Sequence, residues 1–355
     1  MEFKEEMMKQ RTKTWIKIVV TIIIIIVFLW LLQRLVVPKY VDGVIEGAFI
    51  AEYYDETNKE FDVLMVGDCE VYENFTPLVL WEEQGIHSFI RGSAEQYVWQ
   101  SYYLLEDALR YYIPQVVVFN VLSMNTNKSN SEAYNRMTLE GMEWSMSKVN
   151  AIKASMTEEE EFLDYVFPIL RYHTRWSELT KDDFKYMFQK KKVSYSGYYM
   201  RIDTKPVEAI PPKNLLTNYN FGDNAWNYLE KMRLLCEENG IQLVLIKAPS
   251  LYPHWYDEWE KQIEDYANKH GLLYVNFLEH IDEIGLDFAT DTYDAGLHMN
   301  LSGATKLTSY FGEILSKQCN VNNRSDDVKL QDIWAEKKQA YIEEIERQKE
   351  KYGIQ

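Results

Sequence analysis

The hydrophobic positions of the chain first form one long run. Residues 15–37 read WIKIVVTIIIIIVFLWLLQRLVV, and no residue from Ile18 to Leu32 is charged. The run reaches the roughly 20 residues that a helix needs to cross a bilayer, so it predicts a transmembrane helix over 15–37. A cleaved signal peptide is the competing interpretation, but the run is long and no small-x-small cleavage motif follows it.

After this run, short apolar stretches alternate with amphipathic ones. The apolar stretches predict buried strands at Val63–Val66, Ser88–Ile90, Val116–Asn120, Leu243–Ile246 and Leu273–Phe277. The amphipathic stretches predict helices at Pro77–Gln84, Tyr97–Tyr111, Asn224–Asn239, Tyr256–His270 and Ser302–Lys317. This alternation indicates an α/β fold with a parallel sheet covered on both faces. In such folds the ligand site lies beyond the C-terminal ends of the strands.

Two segments depart from the alternation. Residues 125–215 are mostly helical in pattern and predict an insertion into the α/β domain. Residues 323–355 are highly charged with apolar positions at helical spacing, which predicts an amphipathic helix that packs back on the domain or docks a partner. The expected plan is thus a tail over 1–14, the membrane anchor, a domain over 38–322 and the C-terminal helix.

Charge predicts which side of the membrane each part occupies. Residues 1–40 hold seven Lys/Arg and three Asp/Glu, a net charge of +4, so the remainder carries −21 of the total of −17. Because basic residues before a membrane span favour the cytoplasm, we expect a single-pass protein with its N-terminus inside and its domain outside the cell membrane. So acidic a domain argues against nucleic acid as a partner.

One of the three cysteines stands at a chemically interesting position. Cys69 follows the first predicted strand between Asp68 and Glu70, and an odd number of cysteines leaves at least one thiol free. Far along the chain, Asp294 and His298 lie four residues apart in a loop before a helix. A carboxylate beside an imidazole can orient it to take a proton from a nucleophile. The thiol is therefore either a nucleophile or a packing residue.

Two blocks resemble the SGNH (GDSL) hydrolase superfamily. VLMVGDCEVYENFTP is similar to its first block, with Cys69 in place of the nucleophilic Ser, and DAGLHMNLSGATKLT is similar to its last. The resemblance implies a flavodoxin-like three-layer α/β/α fold with His298 as base and Asp294 as its orienting carboxylate. The Asp–His spacing is one residue longer than usual, so Asp291 is the alternative partner.

The resemblance suggests the oxyanion donors, and the residue pattern suggests further substrate-binding residues. Gly92 occupies the place of one oxyanion donor, and Asn120 or Asn125 that of the other; Asn120 is the first choice because it stands where the third strand should end. The cluster RYHTRW offers Arg171, His173 and Arg175 for binding a glycan or polyanionic substrate, although a salt-bridged helix end accounts for it equally well. Lys247 and Ser250 follow the fourth strand and so fall at the same end of the sheet as Cys69. No metal-ligand cluster is visible, and no cofactor is expected.

Membrane-tethered members of the superfamily often modify cell-envelope polymers. By that resemblance we expect an O-acyltransferase that moves a D-alanyl or acetyl group to a polysaccharide or teichoic acid through a Cys69 thioester. It would work with a membrane-bound O-acyltransferase, in a Gram-positive bacterium. An esterase acting on the same polymers and a non-catalytic binding or scaffold subunit remain alternatives.

Overall fold

The structure is a computed structural model that describes residues 2–39, 46–129, 131–189 and 192–354. The remaining residues lie in the predicted tail (1), the predicted domain (40–45, 130, 190 and 191) and the predicted C-terminal helix (355). The described strands are β1 Val63–Gly67, β2 Ser88–Gly92, β3 Val116–Asn120, β4 Gln242–Lys247 and β5 Leu273–Asn276. The described helices are α1 Glu2–Val36, α2 Glu46–Asp55, α3 Cys69–Tyr72, α4 Pro77–Gln84, α5 Val98–Ala108, α6 Glu132–Leu139, α7 Met146–Ser155, α8 Phe162–Val166, α9 Ile169–Tyr172, α10 Lys181–Lys185, α11 Asp223–Glu238, α12 Asp257–His270, α13 Ile281–Ile284, α14 Leu301–Gln318 and α15 Val328–Tyr352.

The five strands form one parallel sheet in the order β2-β1-β3-β4-β5. Every residue of β1, β2 and β3 is buried, which explains why these strands read as continuous apolar runs rather than alternating ones. The predicted α/β class, with its parallel sheet and its strand positions, is confirmed. Because all strands run the same way, their C-terminal ends share one edge of the sheet.

Each face of the sheet has its own hydrophobic core. Alternate residues of a strand point to opposite faces, and in β1 Val63 and Met65 enter one core while Leu64 and Val66 enter the other. The first core is completed by residues of α4, α14 and α15, and the second by residues of α5, α11 and α12. The sheet is therefore a middle layer between two sets of helices.

The chain divides into two compact units. The anchor unit comprises residues 1–43 and 160–191, and the α/β unit comprises residues 44–159 and 192–355. In the anchor unit, α1 contains an 18-residue window with a mean hydropathy of 2.9, long and apolar enough to cross a membrane. The helix begins at Glu2, so it includes most of the predicted tail. Of the predicted insertion, α6 and α7 pack in the α/β unit, whereas α8–α10 belong to the anchor unit.

The C-terminal helix α15 packs on its own unit. Leu330 and Trp334 are buried in the first core, and the Trp334 ring stacks on that of Trp81 with centroids 5.7 Å apart. Trp334 also donates a hydrogen bond from Nε1 to Nδ1 of His87 at 3.1 Å. The sequence left open whether this helix packs on the domain or docks a partner, and in the structure it packs on the domain.

A tight turn covers the outer edge of β2. Its pairing consists of a single bridge between Tyr195 and Tyr198. The amide of Ile90 in β2 donates to the carbonyl of Ser196 at 3.0 Å. Gly197 has φ +87°, and a Cβ there would lie 2.0 Å from the Ile90 carbonyl oxygen. The turn thus blocks an edge that would otherwise be open to pairing, and it requires glycine.

Candidate active site

The chain after β1 turns sharply and presents Cys69 at the C-terminal edge of the sheet. Gly67 permits the turn, because a Cβ there would come within 2.5 Å of a methyl group of Val71. Asp68 caps the following short helix by accepting a hydrogen bond from the Glu70 amide at 3.2 Å. Cys69 is the first residue of that helix and is partly exposed. It lies where the sequence predicts it, beyond the end of a buried strand.

The loop before α14 brings His298 to Cys69. Nδ1 of His298 lies 2.6 Å from Oδ2 of Asp294, and the His298 amide donates to Oδ1 of the same carboxylate at 2.8 Å. Between these two residues the loop contains two left-handed conformations, at Ala295 (φ +67°) and Gly296 (φ +97°). Asp291, the alternative partner, instead bonds to Lys306 at 2.6 Å and Ser302 at 2.7 Å.

A second carboxylate, which is not among the predicted site residues, also faces the imidazole. Oε2 of the buried Glu73 lies 3.6 Å from Nδ1 of His298. Glu73 is four residues after Cys69, so one helical turn places both side chains on the same side. This spacing is the feature of the sequence from which the position of Glu73 can be predicted. The adjacent Asn74 accepts a hydrogen bond from the Met299 amide at 2.8 Å, which fastens the His298 loop to the Cys69 turn.

The charges around the pair set its protonation. Burial acts to lower the pKa of His298, but Glu73, Cys69 and Asp294 outweigh it, and the pKa lies well above its usual value. Burial raises the pKa of the Cys69 thiol to about 12 although His298 opposes the shift. Nε2 of His298 is buried and has no hydrogen-bond partner among the described residues, and the pKa shifts of Cys69 and His298 each include the effect of the other group, so the imidazole faces the thiol.

Beneath the Cys69 turn lies a fully buried polar network. Nζ of Lys247 donates to both carboxylate oxygens of Glu70, at 2.8 and 3.0 Å, and to the Ala248 carbonyl at 2.6 Å. Nδ2 of Asn120 donates to Glu70 at 2.9 Å and to Asp68 at 3.0 Å. Burial, and next the charge of Glu70, raise the pKa of Asp68 to about 7. The network joins the ends of β1, β3 and β4 directly under the nucleophile candidate.

A cavity of about 380 Å³ opens beside Cys69 in the α/β unit. It is lined by Asp68, Cys69, Glu70, Glu95, Gln96, Tyr97, Leu122, Ser123, Asn125, Thr126, Tyr252, Pro253 and Leu297. No Lys or Arg is among these described lining residues. The polar lining beyond Asp68, Cys69 and Glu70 comes from the segments that follow β2, β3 and β4.

The other predicted site residues are distributed unevenly. Gly92 ends β2 directly opposite Gly67 in the sheet register, close to the Cys69 turn. Asn120 and Lys247 lie below the turn with their side chains bonded within the network, rather than lining the cavity. Ser250 is 1% exposed, and its hydroxyl has no hydrogen-bond partner within the described ranges.

The basic cluster of the predicted insertion lies in a different part of the fold. Arg171, His173 and Arg175 belong to the anchor unit, whereas Cys69 belongs to the α/β unit. Nη2 of Arg175 lies 3.1 Å from the carboxylate of Asp183, and Nη1 donates to the carbonyl of Val36. Arg175 is therefore engaged by its own unit, in line with the salt-bridged alternative, and the proposed substrate role of the cluster stays a prediction.

Comparison of the sequence with models of protein families finds no match, and neither does comparison with curated proteins. The resemblance to SGNH hydrolases therefore rests on the two sequence blocks. What the structure adds is the arrangement of Cys69, His298 and Asp294 around one rim of the sheet. Function has to be argued from the chemistry of that arrangement.

Proposed function

We propose that the chain is a membrane-anchored O-acyltransferase of the SGNH type. It would take a D-alanyl or acetyl group onto Cys69 as a thioester and pass it to a hydroxyl of a cell-envelope polysaccharide or teichoic acid. The reaction would take place outside the membrane of a Gram-positive bacterium, with a membrane-bound O-acyltransferase as partner. The strand order β2-β1-β3-β4-β5 supports this assignment, because it is the order of flavodoxin-like sheets.

One observation carries the proposal: a thiol at the rim of a cavity interacts with an imidazole that a carboxylate orients. The Asp294 contact at 2.6 Å fixes which ring nitrogen of His298 faces the carboxylate and leaves Nε2 for the thiol. A thiolate is intrinsically more nucleophilic than a hydroxyl. In this proposal Cys69 would be the nucleophile, His298 the base and Asp294 the orienting group of the acyl transfer.

The reaction would run in two balanced steps. First, the Cys69 sulfur bonds to the acyl carbonyl carbon, the bond from that carbon to the donor's leaving group breaks, and the thiol proton passes through His298 to the leaving group. Then an acceptor hydroxyl bonds to the same carbon, the carbon–sulfur bond breaks, and the hydroxyl proton returns through His298 to sulfur. Amides at the Cys69 turn and near Gly92 would hold the developing oxyanion.

The charge of the cavity favours one of the two acyl groups. Asp68, Glu70 and Glu95 contribute carboxylates, Lys247 neutralises Glu70, and no basic residue belongs to the described lining. An ammonium-bearing group such as D-alanyl is attracted by such a lining, whereas an acetyl group gains nothing from it.

The test is covalent capture on the full chain. The purified protein is incubated with N-acetylcysteamine thioesters of acetate and of D-alanine, and intact-mass spectra record adducts. We expect a single acyl adduct that Cys69→Ala abolishes. Cys319→Ala is the matched control, since Cys319 is also a partly exposed thiol whose pKa burial raises, to about 11. An adduct lost in the control, or none in the wild type, contradicts the proposal.

A non-catalytic binding or scaffold subunit is the second candidate, and one observation favours it. Burial raises the pKa of Cys69 to about 12, and Asp68 and Glu73 add to the shift. If His298 does not relieve this, the thiol would be inert. Iodoacetamide separates the candidates: catalysis predicts that Cys69 is alkylated near neutral pH much faster than Cys319, and the scaffold role predicts that it is not.

A further inference from the structure

The anchor unit attaches a helical segment to the end of α1. This segment, residues 160–189, is held at the last turns of the helix. Nε of Arg34 donates to the Met187 carbonyl at 2.7 Å, and its guanidinium lies 5.1 Å from the ring centroid of Trp30 and 5.6 Å from that of Phe188. Arg175 donates to the carbonyl of Val36, the last residue of α1.

If α1 crosses a bilayer, these contacts determine how deep in the bilayer the segment lies. The uncharged run ends at Leu32, and the contacts are made at Trp30, Arg34 and Val36. In a spanning helix that position is the boundary between the hydrocarbon and the headgroups, where Trp and Arg are typically found. The segment therefore begins at the membrane surface rather than at a distance from it.

The same segment exposes an unusual amount of apolar surface. Six large apolar side chains within its 30 residues are more than half exposed: Leu163 at 54%, Phe167 at 52%, Leu170 at 51%, Trp176 at 71%, Phe184 at 60% and Phe188 at 63%. Among its described residues, the much longer α/β unit has only four large apolar side chains that are more than half exposed. So many exposed apolar side chains in so short a segment indicate a surface that contacts lipid or another protein in the cell.

The charge of the segment indicates what covers it. It contains four basic and six acidic residues, so it gains little from anionic headgroups. Its exposed surface is aromatic and aliphatic, which suits the boundary region where amphipathic elements lie flat. The exposed apolar side of α1, whose spanning window is 0% buried, adjoins it. Lipid that surrounds α1 would therefore reach the segment as well.

We propose that residues 160–189 lie in the membrane, in the leaflet reached by the C-terminal end of α1. Phe167, Trp176 and Phe184 enter the boundary between headgroups and acyl chains, and the interaction is driven by apolar burial rather than by lipid charge. This inference depends on α1 spanning the bilayer and is independent of any chemistry at Cys69. A membrane protein seated on the same surface is the competing occupant, and the experiment below distinguishes it.

The experiment uses the full chain in phosphatidylcholine nanodiscs with p-benzoyl-phenylalanine at position 176 or 184. Position 144 is the matched control, because Trp144 is 52% exposed but belongs to the α/β unit, and position 24 in mid-span is the positive control. After illumination, mass spectrometry should find lipid adducts at 176, 184 and 24, several-fold above those at 144. Replacing part of the lipid by phosphatidylglycerol should leave the yields unchanged.

Three results would overturn the proposal. Lipid adducts at 176 and 184 no more frequent than at 144 would show that the surface faces water. Absence of adducts at position 24 would remove the spanning helix on which the inference depends. Crosslinks in native membranes that join 176 and 184 to another protein, and to no lipid, would assign the surface to a protein partner.

Discussion

Replacing Lys247 by methionine should unfold the α/β unit at a much lower urea concentration. Lys247 and Glu70 are both 0% exposed, and their side chains make two hydrogen bonds at 2.8 and 3.0 Å. Methionine fills a similar volume, so the change removes the charge and its hydrogen bonds with little loss of packing. It leaves the Glu70 carboxylate buried with Asn120 as its remaining side-chain donor.

The size of the effect follows from the cost of an uncompensated buried charge. Removing one partner of a buried ion pair typically costs about 3–5 kcal/mol, most of it from the charge that is left behind. Glu70→Gln should cost a comparable amount for the stranded ammonium. The double variant should cost clearly less than the sum, because neither charge is then stranded.

Urea unfolding of the full chain in detergent micelles, followed by tryptophan fluorescence, measures all three variants. Lys261→Met is the matched control, because Lys261 pairs with Asp265 at 2.9 Å but is 73% exposed, and we expect it to leave the midpoint unchanged. If Lys247→Met unfolds like the wild type but weakens binding of the thioester probes, Lys247 serves the substrate and the structural reasoning is wrong. Additive losses in the double variant would refute the pairing.

Three further predictions concern the His298 environment and the β2 edge. Glu73→Gln should lower the pKa of His298 and extend the alkylation of Cys69 by iodoacetamide to lower pH. Glu95→Gln, on the exposed rim of the cavity, is the control and should leave the alkylation unchanged. If Glu73→Gln does not shift the pH dependence of alkylation, Glu73 does not belong to the site. Because the folded pKa of His298 is raised, its stabilising effect is complete below pH 6.5 and is lost as pH rises through the folded value. The urea midpoint of the wild type should therefore fall relative to that of His298→Gln as pH rises above 6.5, and a constant difference would contradict this. Gly197→Ala should lower the free energy of unfolding, measured from the urea midpoint, by about 1–3 kcal/mol from backbone strain alone. Gly240→Ala is the control and should cost less, because Gly240 also has a positive φ but has open space where a Cβ would lie. Equal losses would refute the role of the contact between Gly197 and β2.

The strands could be predicted because their sequence reflects their burial. A parallel strand covered on both faces needs apolar residues at every position, so β1 and β3 appear as runs such as VLMV and VVVF. The placement of Cys69 followed from this, since it comes just after such a run. The position of His298 in a loop before an amphipathic helix was likewise readable from local pattern.

The surroundings of Cys69 were not readable in the same way. Lys247 follows β4 and suggested a cavity residue, but it turns inward because Glu70 lies within reach, 177 residues earlier in the chain. The resemblance puts Asn120 in the place of an oxyanion donor, yet its side-chain amide donates to Asp68 and Glu70. These contacts exist only because β1, β3 and β4 are neighbours in the sheet.

The segment 160–189 shows the same limit. Its sequence indicated helices and a basic cluster, and nothing local showed that Arg175 would bond to Val36, 139 residues away. The exposure of Trp176 and Phe184 is likewise a property of packing, since a sequence shows that a side chain is apolar but not whether anything covers it.

The sequence by itself determined the apolar helix, the α/β alternation and the two loops that carry Cys69 and His298, because each depends on residues close together in the chain. Only the tertiary structure decided which carboxylates face the imidazole, which charges are buried in pairs and which apolar surface stays uncovered. The physical reason is that burial and charge compensation are set by neighbours in space, and strand order brings those neighbours together from distant parts of the chain.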